Sequence, residues 1–149
     1  MKPNEIRYWL HNLDGLKAEI EETEDSLKEY RQMEIDAFII PVPSDMPHSR
    51  NVSSQVEQIA IPRLTQIENM ENRLFYLRTM LASINTVVNA YPKDSNEYKM
   101  LYLRYLSGKN NRWTDIADTL NYSERHIKRL DNLIVGKILS IFYRKISYK

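Results

Sequence analysis

Ile6, Trp9, Leu13, Leu16, Ile20, Thr23, Leu27 and Tyr30 alternate spacings of three and four, and Glu, Asp and Lys crowd the positions between them. One stripe sustained over more than three heptads predicts a long amphipathic helix with a coiled-coil seam, weakened locally by Gly15. The pattern fails over 39–54, I-I-P-V-P-S-D-M-P-H-S-R-N-V-S-S, where three prolines within seven residues forbid a continuous helix. This is a loop, apolar at Ile39, Ile40, Val42 and Met46, which suits packing on a helix or holding a partner. A second seam then runs through Ile67, Met70, Leu74, Leu77, Leu81, Ile84, Val88 and Tyr91. The loop is long enough for the two seams to lie antiparallel in one chain, so an intramolecular hairpin is the first expectation. Pairing with a second subunit is the alternative.

Pro92, followed by Lys93, Asp94, Ser95 and Asn96, ends the second seam and supplies a new N-cap, so the expected modules are 1–92 and 93–149. A helix over 96–106 should turn Leu101, Tyr105 and Leu106 inward and stop near Gly108, and Trp113 is then the aromatic plug of a small core. From 112 to 134 the chain reads R-W-T-D-I-A-D-T-L-N-Y-S-E-R-H-I-K-R-L-D-N-L-I. Thr114 is a good N-cap, and Ile116, Ala117 and Leu120 share one face of the helix it would open. The turn Asn121-Tyr122-Ser123 ends on a second N-cap, and Ile127, Leu130 and Ile134 form the core face of the next helix. Glu124, Arg125, Lys128 and Arg129 point away from that face. A helix, a three-residue turn and a capped helix with a basic exposed face can place side chains in a DNA major groove. An ordinary helical hairpin with a solvated charged face has the same spacing. Beyond it, Ile138, Ile141 and Phe142 belong either to the same helix prolonged or to a further short one.

Three glycines in 149 residues and few alternating β-branched runs make the fold class all-α. The net charge of +1 hides a division: residues 1–60 hold 6 Lys/Arg against 12 Asp/Glu, and residues 61–149 hold 15 against 8. Nucleic acid would meet the basic half, and the acidic half would face solvent or a protein partner. Without cysteine there are no disulfides or thiolate metal sites. The N-terminus lacks the apolar core of a signal peptide and no apolar run approaches a bilayer's thickness, so a soluble cytoplasmic protein without membrane contact is expected.

His11, His48 and His126 fall in separate segments, none with a second ligand at metal-binding spacing. Gly15, Gly108 and Gly136 are isolated, so no phosphate loop exists, and no Ser, His and carboxylate set forms a nucleophile elbow. No enzyme, metal or cofactor is expected.

Three segments carry a family resemblance: L-Y-L-R-Y-L-S-G at 101–108, W-T-D-I-A-D-T-L at 113–120 and Y-S-E-R-H-I-K-R-L at 122–130. With them the chain resembles the small phage and prophage transcriptional regulators of the RinA and ArpU type, whose C-terminal module is similar to region 4 of sigma-70-family factors. The loop P-V-P-S-D-M-P and the following N-V-S-S-Q-V-E also look like the mid-chain signature of related prophage proteins. The resemblance implies that Ser123 caps a recognition helix whose Glu124, Arg125, Lys128 and Arg129 face the groove. It also implies that His126 reaches a phosphate or base, and that Lys109, Arg112 and Thr114 hold the DNA backbone. Sigma factors place a basic residue directly after the cap, whereas here Glu124 precedes Arg125, so a −35-like preference does not carry over. Nothing resembles the promoter-melting region, which leaves an activator or repressor rather than a sigma factor.

The expected function is therefore sequence-specific binding of double-stranded DNA in regulation of phage late genes, in the cytoplasm of a bacterial host. RNA polymerase is a candidate second partner, and a homodimer could form through the coiled-coil region. Two other tasks fit the same residues. One is recognition of a packaging site by a small terminase subunit. The other is mimicry of sigma region 4 to bind RNA polymerase or a host regulator without touching DNA.

Overall fold

In the computed structural model the backbone is described for residues 1–39 and 52–148, and the side chains for 1–36 and 62–148. All regular structure among these residues is helical: α1 (Pro3–His11), α2 (Leu13–Ile39), α3 (Val52–Ala90), α4 (Asn96–Leu101), α5 (Trp113–Leu120) and α6 (Glu124–Ser147). The all-α class read from glycine scarcity and apolar spacing is what the chain adopts. Of the loop expected over 39–54, Ile39 and 52–54 are helical, and 40–51 lie outside the described residues.

The first seam is not one helix. Asn12 leaves helical geometry at φ −127° and ψ 50°, separating α1 from α2, although its N–H still reaches the carbonyls of Tyr8 and Trp9. The turn shifts the buried register: Leu10 becomes 1% exposed while Leu13 is only half-buried. Gly15 has a local reason here, since a Cβ at that position would collide with the Asn12 side-chain amide. Pro3, whose fixed φ suits a first helical turn and whose missing N–H costs nothing there, starts α1.

Two compact units result: Met1–Ala18 with Arg78–Lys149, and Glu19–Leu77. This division differs from the expected 1–92 and 93–149. The hydrophobic period reports which face of a helix is buried, not what covers it, so α1 and the last turns of α3 read as more of the hairpin.

In the smaller unit, Ile20 and Leu27 of α2 and Ile67, Leu74 and Leu77 of α3 are buried. Glu19, early in α2, accepts from Arg73 Nε at 3.1 Å, whereas Tyr30, later in α2, accepts from Gln66 at 2.8 Å. Partners thus come in opposite order along the two helices, which run antiparallel within one chain. Arg31 and Glu71 add an exposed ion pair on the flank.

The larger unit packs α1 against α6 and against the turn that follows α4, and packs α4, α5 and α6 on one another. Its core holds Ile6, Trp9 and Leu10 of α1, Met80, Ile84 and Val87 of α3, Met100 and Leu101 of α4, and Ile134, Ile138 and Phe142 of α6. Beyond Leu77 the buried stripe of α3 runs through Met80 and Val87, one residue ahead of the expected Leu81 and Val88, which are half-buried. Ser95 caps α4 by accepting from the Tyr98 N–H at 3.2 Å. The helix continues over Tyr102–Leu106 as a wider π turn, in which the Ser107 N–H reaches the Tyr102 carbonyl at 2.8 Å. Gly108 follows at φ +72°, a conformation that costs a residue with a Cβ far more. Tyr105 is buried as expected, while Leu106 is half-buried.

Candidate nucleic-acid interface

The α5–turn–α6 segment is fixed by local chemistry before any packing is counted. Asn121 ends α5 in the left-handed region at φ 59°, and the Tyr122 N–H bonds the Ala117 carbonyl at 3.0 Å. Asparagine tolerates that conformation better than most residues. Ser123 then opens α6, accepting from the His126 N–H at 3.2 Å. Ile116 and Ala117 of α5 and Ile127 of α6 turn inward and set the two helices on one core. The residue expected to cap α5, Thr114, lies instead in its first turn. Arg112 occupies the cap position with no side-chain hydrogen bond. Trp113 is half-buried rather than a core plug, with the Arg104 guanidinium 4.4 Å above its ring. The same arginine donates to the Asn111 carbonyl, tethering the loop that leads into α5.

Ser123, Glu124, Arg125, His126, Lys128 and Arg129 come together with Asn132 around an open concavity of about 980 Å³ on one side of α6. Lys128 pairs with Glu124 one turn earlier, while Arg125 and Arg129 have no acidic partner among the described residues. The His126 ring stacks on Tyr122, centroids 4.6 Å apart and planes 25° off parallel, and the Tyr122 hydroxyl accepts from Asn96 at 2.7 Å. That stack limits the directions the imidazole can take. Lys109, Arg112 and Thr114 are exposed in the first turn of α5 and the loop before it, and none of them lines the concavity.

Sequence reasoning missed the groups that hold this face in place. Asp131, 2% exposed, lies on the buried side of α6. It accepts from Tyr105 Oη at 2.6 Å and from Arg7 Nε at 2.9 Å, joining α1, the π turn and α6. Burial, reinforced by the hydrogen bond to Asp131, raises the Tyr105 phenol well above its ordinary value, so it stays a donor. His11 packs edge-on against Tyr105 at 4.5 Å, and burial followed by the nearby Arg104 lowers its pKa against the opposing pull of Asp131. The signal was present in the sequence: Asp131 follows Ile127 by four and precedes Val135 by four, an acid on a core stripe. A buried carboxylate needs a partner, and no periodicity names that partner as Arg7.

Among the described residues there is no group of three or more His, Asp or Glu placed to hold a metal, and no helix long and apolar enough to cross a membrane. No protein-family model, curated protein or solved structure matches the chain.

Proposed function

We propose that this protein binds double-stranded DNA in a sequence-specific way and regulates transcription, with α6 as its recognition helix. The observation that carries the reading is the convergence of Arg125, Arg129, His126 and Asn132 on one exposed face of a Ser-capped helix, beyond a three-residue turn. Guanidinium groups without an acidic partner are available to phosphate and to guanine edges, and the first turns of the second helix are the part that enters a groove. Phosphate contacts supply most of the affinity and its salt dependence, and a few side chains supply the specificity. Lys109, Arg112 and Thr114 grip the backbone from the start of α5.

The assignment to phage late genes, and with it action in the bacterial cytoplasm, rests on the RinA and ArpU resemblance of the sequence. In a homodimer the two recognition helices would read half-sites about 34 Å apart, or a multiple of that distance. RNA polymerase is a second partner of an activator built this way.

Selection of bound sites from random duplex DNA at about 150 mM salt tests the reading, with Arg125→Ala/Lys128→Ala alongside the wild type. The expected result is one enriched motif that the variant loses, each lost base contact costing about 1–3 kcal/mol. A folded wild-type protein that enriches nothing would move the function to a protein partner, as in mimicry of sigma region 4. Enrichment only by a ring-like assembly would move it to packaging-site recognition.

A further inference from the structure

Asn132 follows Arg125 by seven residues and Arg129 by three, so the three lie on one stripe of α6 and line the same concavity. Its side-chain oxygen is already engaged: Arg7 Nη2 donates to Asn132 Oδ1 at 2.6 Å. Arg7 is not a loose surface arginine. Its Nε is held by Asp131 Oδ2 at 2.9 Å, the Asp131 side chain is 3% exposed, and the other carboxylate oxygen takes the Tyr105 hydroxyl. A third contact, from Arg7 Nη1 to Asn4 Oδ1 at 3.2 Å, fixes the remaining arm. The guanidinium is thus set by buried groups on one side and presents a single N–H to Asn132 on the other.

We propose that Asn132 is a specificity-determining residue of the DNA interface that reads guanine, and that Arg7 of α1 is the positioning residue that makes it do so. The inference rests on the DNA-binding reading above. A free asparagine amide offers one acceptor and two donors, and its bidentate partner in the major groove is adenine, which requires both kinds of group. Here the acceptor faces a cation. Any base amino hydrogen approaching Oδ1 meets the positive field of Arg7, while Nδ2 has no partner among the described residues and keeps both its hydrogens. A donor-only amide matches the adjacent O6 and N7 acceptors of guanine. The N-terminal helix, remote in sequence from the recognition helix, thereby enters the base code without touching DNA.

Site selection with the full-length wild type, Asn132→Ala and Arg7→Lys tests this. The wild-type motif is expected to contain a guanine whose preference disappears in Asn132→Ala, with binding to that site roughly tenfold weaker and the other positions unchanged. Arg7→Lys keeps a charge for Asp131 but loses the fork that reaches Asn132, so adenine should become accepted at that same position. A purely structural role for Arg7 would lower affinity evenly and leave base preference alone. The proposal is overturned by an Asn132→Ala motif identical to wild type, by an adenine at the Asn132-dependent position of the wild-type motif, or by an even loss in Arg7→Lys. Asn132 is exposed, so its alanine variant retains the fold and decides the matter even where Arg7→Lys is destabilised. A wild-type protein that selects no motif overturns the DNA-binding reading itself, an outcome visible before either variant is compared.

Discussion

The two compact units of this chain use charge in opposite ways. In Glu19–Leu77 a single apolar stripe is flanked by ion pairs at the surface: Arg73–Glu19 and Arg31–Glu71 have side chains between 34% and 53% exposed. In the larger unit Arg7–Asp131 has its carboxylate 3% exposed, with a tyrosine hydroxyl on the second oxygen. Surface pairs add little net stability, because solvent screens them and two long side chains must be ordered. A buried carboxylate is different. Its desolvation is offset only while each oxygen keeps its partner, so the pair ties α1, the π turn and α6 into one arrangement. Slippage of α1 against α6 in the larger unit would uncover a charge, a cost that the surface pairs of the hairpin do not impose.

The two tryptophans, Trp9 and Trp113, both belong to the larger unit, so fluorescence follows that unit while helical circular dichroism follows both. Five substitutions would break or sharpen the contrast. The largest effect is expected from Asp131→Ala, which strands the Arg7 cation and the Tyr105 hydroxyl: a loss of about 3–5 kcal/mol in denaturant unfolding followed by fluorescence. A loss under about 1 kcal/mol would place Arg7–Asp131 with ordinary surface pairs.

Next come two leucines. Leu10 is 1% exposed inside the larger unit, and Leu74 is 7% exposed on the hairpin stripe. Leu10→Ala should cost about 4 kcal/mol in the fluorescence transition, and Leu74→Ala about 2 kcal/mol in the dichroism transition, because the site that can collapse around the cavity loses less. Coincident shifts of both signals in both variants would show that the two units unfold as one.

Smaller still, Glu19→Ala removes an exposed partner of Arg73 and should change stability by less than about 1 kcal/mol, with an effect that fades as salt is raised. The smallest effect concerns pH. Because the folded protein lowers the His11 pKa, it binds fewer protons at this site than the unfolded chain does. Stability from this site is therefore present above the ordinary histidine pKa and lost as pH falls through the lower folded value. Thermal unfolding of the wild type should weaken on acidification through that window, and His11→Gln should lack this component.

Much of this molecule was legible without coordinates, and the residues show why. Ser123 and Gly108 were read correctly because capping and left-handed turns depend on a few neighbouring residues. The basic face of α6 was legible for a similar reason: a helix of period 3.6 that buries Ile127 and Ile134 must expose Arg125 and Arg129. Thr114 misled, since Arg112 takes the cap position without a side-chain bond and a good capping residue two positions into the helix signals nothing by itself.

The sequence by itself determined the all-helical class, the antiparallel return of one seam on another as first choice, and the residues that share the exposed face of α6. Local propensity and apolar periodicity are properties of neighbouring residues, so they need no fold to be read. Only the tertiary structure decided that α1 and the start of α2, through Ala18, belong to the larger unit, and that Asp131 takes Arg7 and Tyr105 as partners. It also decided that Asn132 meets the basic face with its oxygen occupied. Arg7 and Asp131 are separated by 124 positions, and the desolvation that makes their pairing obligatory exists only once the chain has closed around them.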